Sequence, residues 1–150
     1  MDEREELEKE FAAWRIVKLI NPDGRTAVIR IRMSRPERTS LAAYATAVEI
    51  ARLCEAMLPT KPEGERQRAF EDALEGLASH NGFSEQVQVR TGLGAKDWLY
   101  YTTDRERFMG ELNRALQGRP RYPIKISFYD DPDWAIWQQI IDDIRSRSKR

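Results

Sequence analysis

Asp97-Trp98-Leu99-Tyr100-Tyr101, then Thr103 to Glu106 ahead of Phe108-Met109, then Tyr122-Pro123-Ile124 to Tyr129, and finally Asp130-Asp131-Pro132-Asp133-Trp134 ahead of Trp137, read as strand, helix, strand, helix without interruption. Thr103 and Glu106 have capping-box spacing, and Phe108, Met109, Leu112, Ala115 and Leu116 form the core stripe of a helix that ends at Gly118. Residues 122–129 alternate with Ile124, Ile126 and Phe128 inward. Asp131 and Pro132 then supply an N-cap and an N1 proline for a last helix, whose stripe is Trp137, Ile140, Ile141 and Ile144. This pattern defines a fold and leaves the chemistry open. No nucleophile-base pair, phosphate loop or metal-ligand spacing stands out.

Working backward from that unit, residues 83–90 alternate as a strand, and Gly92-Leu93-Gly94 turns them into residues 96–102 as an antiparallel hairpin. Residues 63–79 carry Phe70, Ala73, Leu74 and Leu77 on one helical face, ending near Asn81-Gly82. Residues 41–57 are ambiguous. Their alanines favour helix, while Tyr44, Thr46, Val48 and Ile50 alternate as a strand does. Residues 14–20 and 26–33 are β-branched runs joined by Asn21-Pro22-Asp23-Gly24, a hairpin signal.

The chain has 150 residues, 41% of them hydrophobic, with 25 basic and 25 acidic side chains. One core is expected, and the balanced charge gives no steering toward nucleic acid or an anionic membrane. The single Cys54 and the lack of a long apolar run point to a cytoplasmic setting, with Cys54 a plain buried thiol. The domain reading is an acidic lead-in over residues 1–10, one α+β domain over 11–145 and a basic tail over 146–150.

Ala47-Val48-Glu49-Ile50, Phe70-Glu71-Asp72-Ala73-Leu74, Asn81-Gly82-Phe83, Trp98-x-Tyr100-Tyr101, Tyr122-Pro123-Ile124 and Asp131-Pro132-Asp133-Trp134 together resemble the bacterial domain of unknown function 695 family. The similarity runs from about Trp14 to Trp137. In that family the Ala-Val-Glu-Ile phrase is extended, so the resemblance implies that residues 44–50 form a strand. Residues 53–58 stand where the family has a Gly-rich approach to a proline, which leaves the end of that strand open. The resemblance implies no activity, cofactor or catalytic residue. Only a loose association with ribonuclease-inhibitor-like modules accompanies it. The expected fold is α+β: an antiparallel sheet with helices on one face, a ferredoxin-like βαββαβ core, an N-terminal β-hairpin and a C-terminal helix.

Asp130, Asp131 and Asp133 resemble part of an oxygen cage, but capping at a strand-to-helix junction accounts for all three, and no metal is expected. No cofactor is expected either. His80 sits at a helix end, where imidazolium meets free carbonyls, and Trp98, Trp134 and Trp137 read as core. If Ile29, Ile31, Val87, Val89, Ile124 and Ile126 face inward, Arg30, Arg32, Gln86, Gln88, Arg90, Lys125 and Tyr129 share an open face, with Tyr100 or Tyr101 added by register. The candidate binding residues are therefore Arg30, Arg32, Arg90, Lys125, Tyr129 and Tyr100. The leading reading is a non-catalytic interaction or regulatory module that meets a protein partner, or a second copy, through that face. The alternatives are an enzyme gripping a phosphorylated small molecule with Arg30, Arg90 and Lys125, and an RNA-contacting domain. Zero net charge and the missing Gly-aromatic-x-aromatic strand speak against the last.

Overall fold

The computed structural model describes residues 14–20, 22–35, 42–53, 61–78, 81–92, 94–119 and 123–148. Six strands, β1 (Trp14–Ile20), β2 (Thr26–Arg32), β3 (Thr46–Leu53), β4 (Ser84–Gly92), β5 (Ala95–Thr102) and β6 (Ile124–Asp130), form one antiparallel sheet in the order β1-β2-β4-β5-β3-β6. Three helices accompany them among the described residues: α1 (Lys61–Ala78), α2 (Arg105–Leu116) and α3 (Ala135–Ser148). The ambiguous segment is a strand from Thr46, despite its alanines. It is paired on both sides, with Ile50 opposite both Trp98 and Ile126, and tertiary pairing of this kind overrides propensity. Gly92 closes the β2–β4 ladder opposite Ala27. Its φ is 146°, and a Cβ there would lie 2.7 Å from the Ala27 Cα.

Residues directly opposite in a ladder share a face, so the registers assign every strand residue to a layer. On one face Val48, Ile50, Val89, Trp98 and Tyr100 meet Phe70 and Leu74 of α1 and Phe108 and Leu112 of α2. Phe70 lies edge-on to Trp98 at 5.2 Å and Tyr100 edge-on to Phe108 at 5.2 Å. On the other face Ile29, Ile31, Ala47, Leu99 and Tyr101 meet Trp134, Trp137, Ile141 and Ile144. Both faces of the sheet are covered.

Helices on one face and an open second face were expected, and this is the main correction. Trp134 in the turn before α3 and the stripe of Trp137, Ile141 and Ile144 on α3 are buried together, and the apolar surface that takes them is the back of the sheet. A second cause is a β-bulge between Gln86 and Gln88. The extra residue interrupts the alternation, so Val87 joins the α3 core while Val89 joins the two-helix core. The six residues expected to point one way divide accordingly: Ile29, Ile31 and Val87 face α3, and Val89, Ile124 and Ile126 face α1 and α2.

Of the two expected caps, one moves to the next residue and the other holds. Asp104, not Thr103, caps α2, its carboxylate accepting from the Glu106 and Arg107 amides. Asp131 does cap α3, but that helix starts at Ala135 rather than Pro132: Asp131 accepts from Ala135 N at 2.8 Å and Ile136 N at 3.0 Å. The intervening turn holds Trp134 at φ 58°, uncommon for a residue with a side chain. Buried contacts hold it there. The Trp134 ring stacks on Tyr101 at 4.1 Å and 9°, and its Nε1 donates to Tyr44 O at 2.8 Å. Helix α3 runs through Ser148, into the stretch read as a basic tail. Residues 1–10, Cys54 and His80 lie outside the described residues.

Trp134→Ala should cost about 3 to 5 kcal/mol of unfolding free energy, the range for truncating a large buried aromatic. Urea titration followed by far-UV circular dichroism checks this, and an unchanged midpoint would mean that the stack on Tyr101 contributes nothing.

Candidate binding surfaces

The six residues singled out from sequence do not share a surface. Tyr100 is wholly buried, and its hydroxyl accepts from Gln86 Nε2 at 3.0 Å. Arg32 is also buried: its Nε donates to Gln86 O at 3.0 Å, and its Nη2 lies 3.6 Å from Glu85 Oε2. Arg30 is exposed on the two-helix side, where both it and Arg32 lie over the Trp14 ring, at 5.0 and 4.9 Å. Arg90 is half-buried on the α3 side. Lys125 and Tyr129 sit on the opposite sheet edge, also on the α3 side, since they pair with Ala51 and Ala47. Burial pushes the Tyr100 and Tyr101 phenols above the ordinary tyrosine range, and donation to Asp131 adds to the effect at Tyr101.

Two surfaces emerge instead. The first is the outer face of the β1–β2 hairpin. The registers put Trp14, Ile16, Lys18 and Ile20 of β1 beside Val28 and Arg30 of β2. Ile16 is 72% exposed, Ile20 65% and Val28 42%. Helix α1 forms the far wall with Glu71, Asp72 and Glu75, and Glu71 is ion-paired with Lys96. Strand β1 pairs only with β2 among the described residues, so none of these pairs with its outer backbone edge.

The second surface is a cleft of about 270 Å³ between the sheet and α3. Its floor carries Gln88 and Arg90 of β4, Asp97 of β5 and Glu49 of β3, and its wall is Ile136, Ile140 and Ile144. Gln88 and Glu49 both flank Leu99, while Arg90 faces Asp97 across the β4–β5 ladder. Burial pushes the Asp97 carboxyl above its usual range, and the Arg90 charge pulls it partly back. Glu49 and Asp97 escaped the sequence reading. Their signal was a charge inside an apolar strand, and for Glu49 small neighbours at Ala47 and Ala51 as well.

Asp130 and Asp133 are exposed, and Asp131 is occupied by its capping bonds and by the Tyr101 hydroxyl at 2.7 Å. No group of three or more metal-binding side chains occurs among the described residues. No helix among them is long and apolar enough to cross a membrane.

The model of a family of unknown function, DUF695, matches residues 13–141. The chain belongs to this family. The match takes in all six strands and the first turns of α3, so the hairpin surface and the floor of the cleft lie within it, while Asp143, Ile144 and Arg147 of the cleft follow it. No curated protein matches the chain.

Because the folded-state pKa of Asp97 is raised, the folded protein holds this proton more tightly than the unfolded chain does. Stability from this group is therefore greatest below its unfolded value of 3.8 and is lost as pH rises through the folded value. Asp97→Asn should raise the urea midpoint at pH 7, and the difference from the parent should vanish near pH 3. Equal midpoints at pH 7 would show that the carboxylate carries no desolvation cost.

Proposed function

We propose that the chain is a non-catalytic protein-interaction module that works in the cytoplasm and meets its partner at the β1–β2 hairpin. The observation that carries this reading is the strip of Ile16, Ile20 and Val28, exposed on one face of an edge hairpin. Large aliphatic groups lined up on an open edge strand are an association surface unless something covers them. The occupant that fits is an extended protein segment added to β1 as a seventh strand, with backbone hydrogen bonds giving affinity and alternate side chains giving selectivity. Its apolar residues would lie against Ile16 and Ile20. An acidic residue between them would meet Lys18, with Arg30 one strand away.

The frame behind the hairpin supports a module rather than an open platform. The segment from β3 to β6 has the order β4-β5-β3-β6 with α1 and α2 on one face. We read it as a ferredoxin-like βαββαβ core to which the hairpin and α3 have been added. In this reading Arg30 is the member of the original candidate set that keeps a binding role at the hairpin, and Arg32 serves to hold β2 on β4.

Selection from a displayed library of short random peptides tests the proposal. Enriched peptides should alternate apolar residues with Asp or Glu, and Ile16→Thr with Val28→Thr should weaken them by about tenfold or more, the equivalent of about 1.4 kcal/mol, with the thermal midpoint held. Binders indifferent to both substitutions would refute it. Concentration-dependent sedimentation of the parent chain, abolished by the same substitutions, would replace the foreign segment with a second copy.

A further inference from the structure

The cleft beneath α3 stands apart from the hairpin and has the composition of a site. Gln88 is only 7% exposed, yet it lines the cleft, so its side-chain amide is available to a group that enters there. An amide that meets water only through the cleft can exchange that water for a ligand group that reproduces its hydrogen bonds. Glu49 stands two strands away on the same row, separated from Gln88 by Leu99, which places the two side chains roughly 10 Å apart at their backbones. The next row is occupied by Arg90 facing Asp97, two charges that offset one another.

Charge and shape then specify what fits. Floor and rim together carry three carboxylates, Glu49, Asp97 and Asp143, against two guanidinium groups, Arg90 and Arg147. One negative charge is left over, which favours a monocation. The acceptors nearest the open middle are the Glu49 carboxylate and the Gln88 carbonyl, and an ammonium offers three donors that reach both. Opposite them Ile136, Ile140 and Ile144 present an aliphatic wall, completed by Ala27 and Ile29. At about 270 Å³ the space lies below the roughly 300 to 1,000 Å³ of a drug-sized site, so the occupant is small.

We propose that this cleft binds a small primary alkylammonium, its nitrogen held between Glu49 and Gln88 and its short branched or linear chain laid against the isoleucines of α3. Arg90 and Asp97 face each other across the ladder beside it, and the single excess negative charge of the lining disfavours a dication or a free carboxylate.

Titration calorimetry on the full chain at pH 7 with 3-methylbutylammonium, 3-methylbutanol and leucine as probes tests the proposal. The amine should bind at least about tenfold more tightly than the alcohol, which has the same chain and no charge, and more tightly than leucine, whose added carboxylate cancels its net charge. In a ¹⁵N spectrum the Gln88 side-chain amide should shift on addition of the amine alone. Glu49→Gln should weaken the amine by about tenfold or more while leaving the circular dichroism spectrum unchanged. Should that variant fail to fold, the three probes and the Gln88 resonance on the parent chain still decide. No binding of the amine, equal binding of the alcohol, or unchanged affinity in folded Glu49→Gln would each overturn the proposal.

Discussion

The second layer of this protein hangs on one buried carboxylate. Asp131 follows β6 directly, and its own amide donates to Ala45 O at 2.7 Å just before β3 begins. Its side chain accepts from the Tyr101 hydroxyl of β5 and from the first two amides of α3. One residue thus joins three neighbouring strands to the helix that crosses behind them. Tyr101 takes part twice, since its oxygen also accepts from the Trp137 amide at 3.2 Å. Removing one partner from such a network leaves the others desolvated and unpaired, a larger penalty than the net worth of any single bond.

What that joint achieves is a sheet with two dry sides and unequal coverings. Among the described residues two helices serve one face and a single helix serves the other, anchored at its start by Trp134 and Trp137. The Trp137 Nε1 reaches Arg32 O at 2.8 Å, so the anchor extends across the sheet to β2. A lone helix covers less than the sheet offers. The uncovered ground beneath α3 is where Glu49, Gln88, Arg90 and Asp97 collect, in a setting where each charge loses some of its hydration. Polar groups kept at such a cost are a common mark of sites that bind something.

Local signals in the sequence were sufficient for the elements. Alternation at Phe83 to Arg90, the Phe108 and Leu112 stripe, and Asp-Gly and Gly-x-Gly turns each rest on neighbours a few residues apart, and all four hairpin strands formed where those signals placed them. The strand at Thr46 needed the resemblance, because alanine propensity and alternation disagreed there. What could not be read was which side each strand residue faces. A single bulge between Gln86 and Gln88 reverses that assignment for the rest of β4, and nothing in Glu85-Gln86-Val87-Gln88-Val89 announces an extra residue. The destination of α3 was hidden for a related reason: an amphipathic stripe declares that it will be buried but not against which surface. The candidate set from sequence came apart on these two points, with Tyr100 and Arg32 drawn into the interior.

The position of β3 bears on how the chain comes off the ribosome. Its two sheet neighbours, β5 and β6, both lie later in the sequence, and β2 likewise waits for β4. A nascent chain that has emerged as far as Leu53 holds one hairpin and one strand with no place to dock. Non-local pairings of this kind slow folding and leave apolar strands exposed in the meantime. The interval ends only when β6 has cleared the exit tunnel, and the α3 cap at Asp131 follows at once. Synthesis of nearly the whole domain therefore precedes the closing of the α3 core, and a stop before β6 would release a chain whose strand β3 lacks a partner on one side.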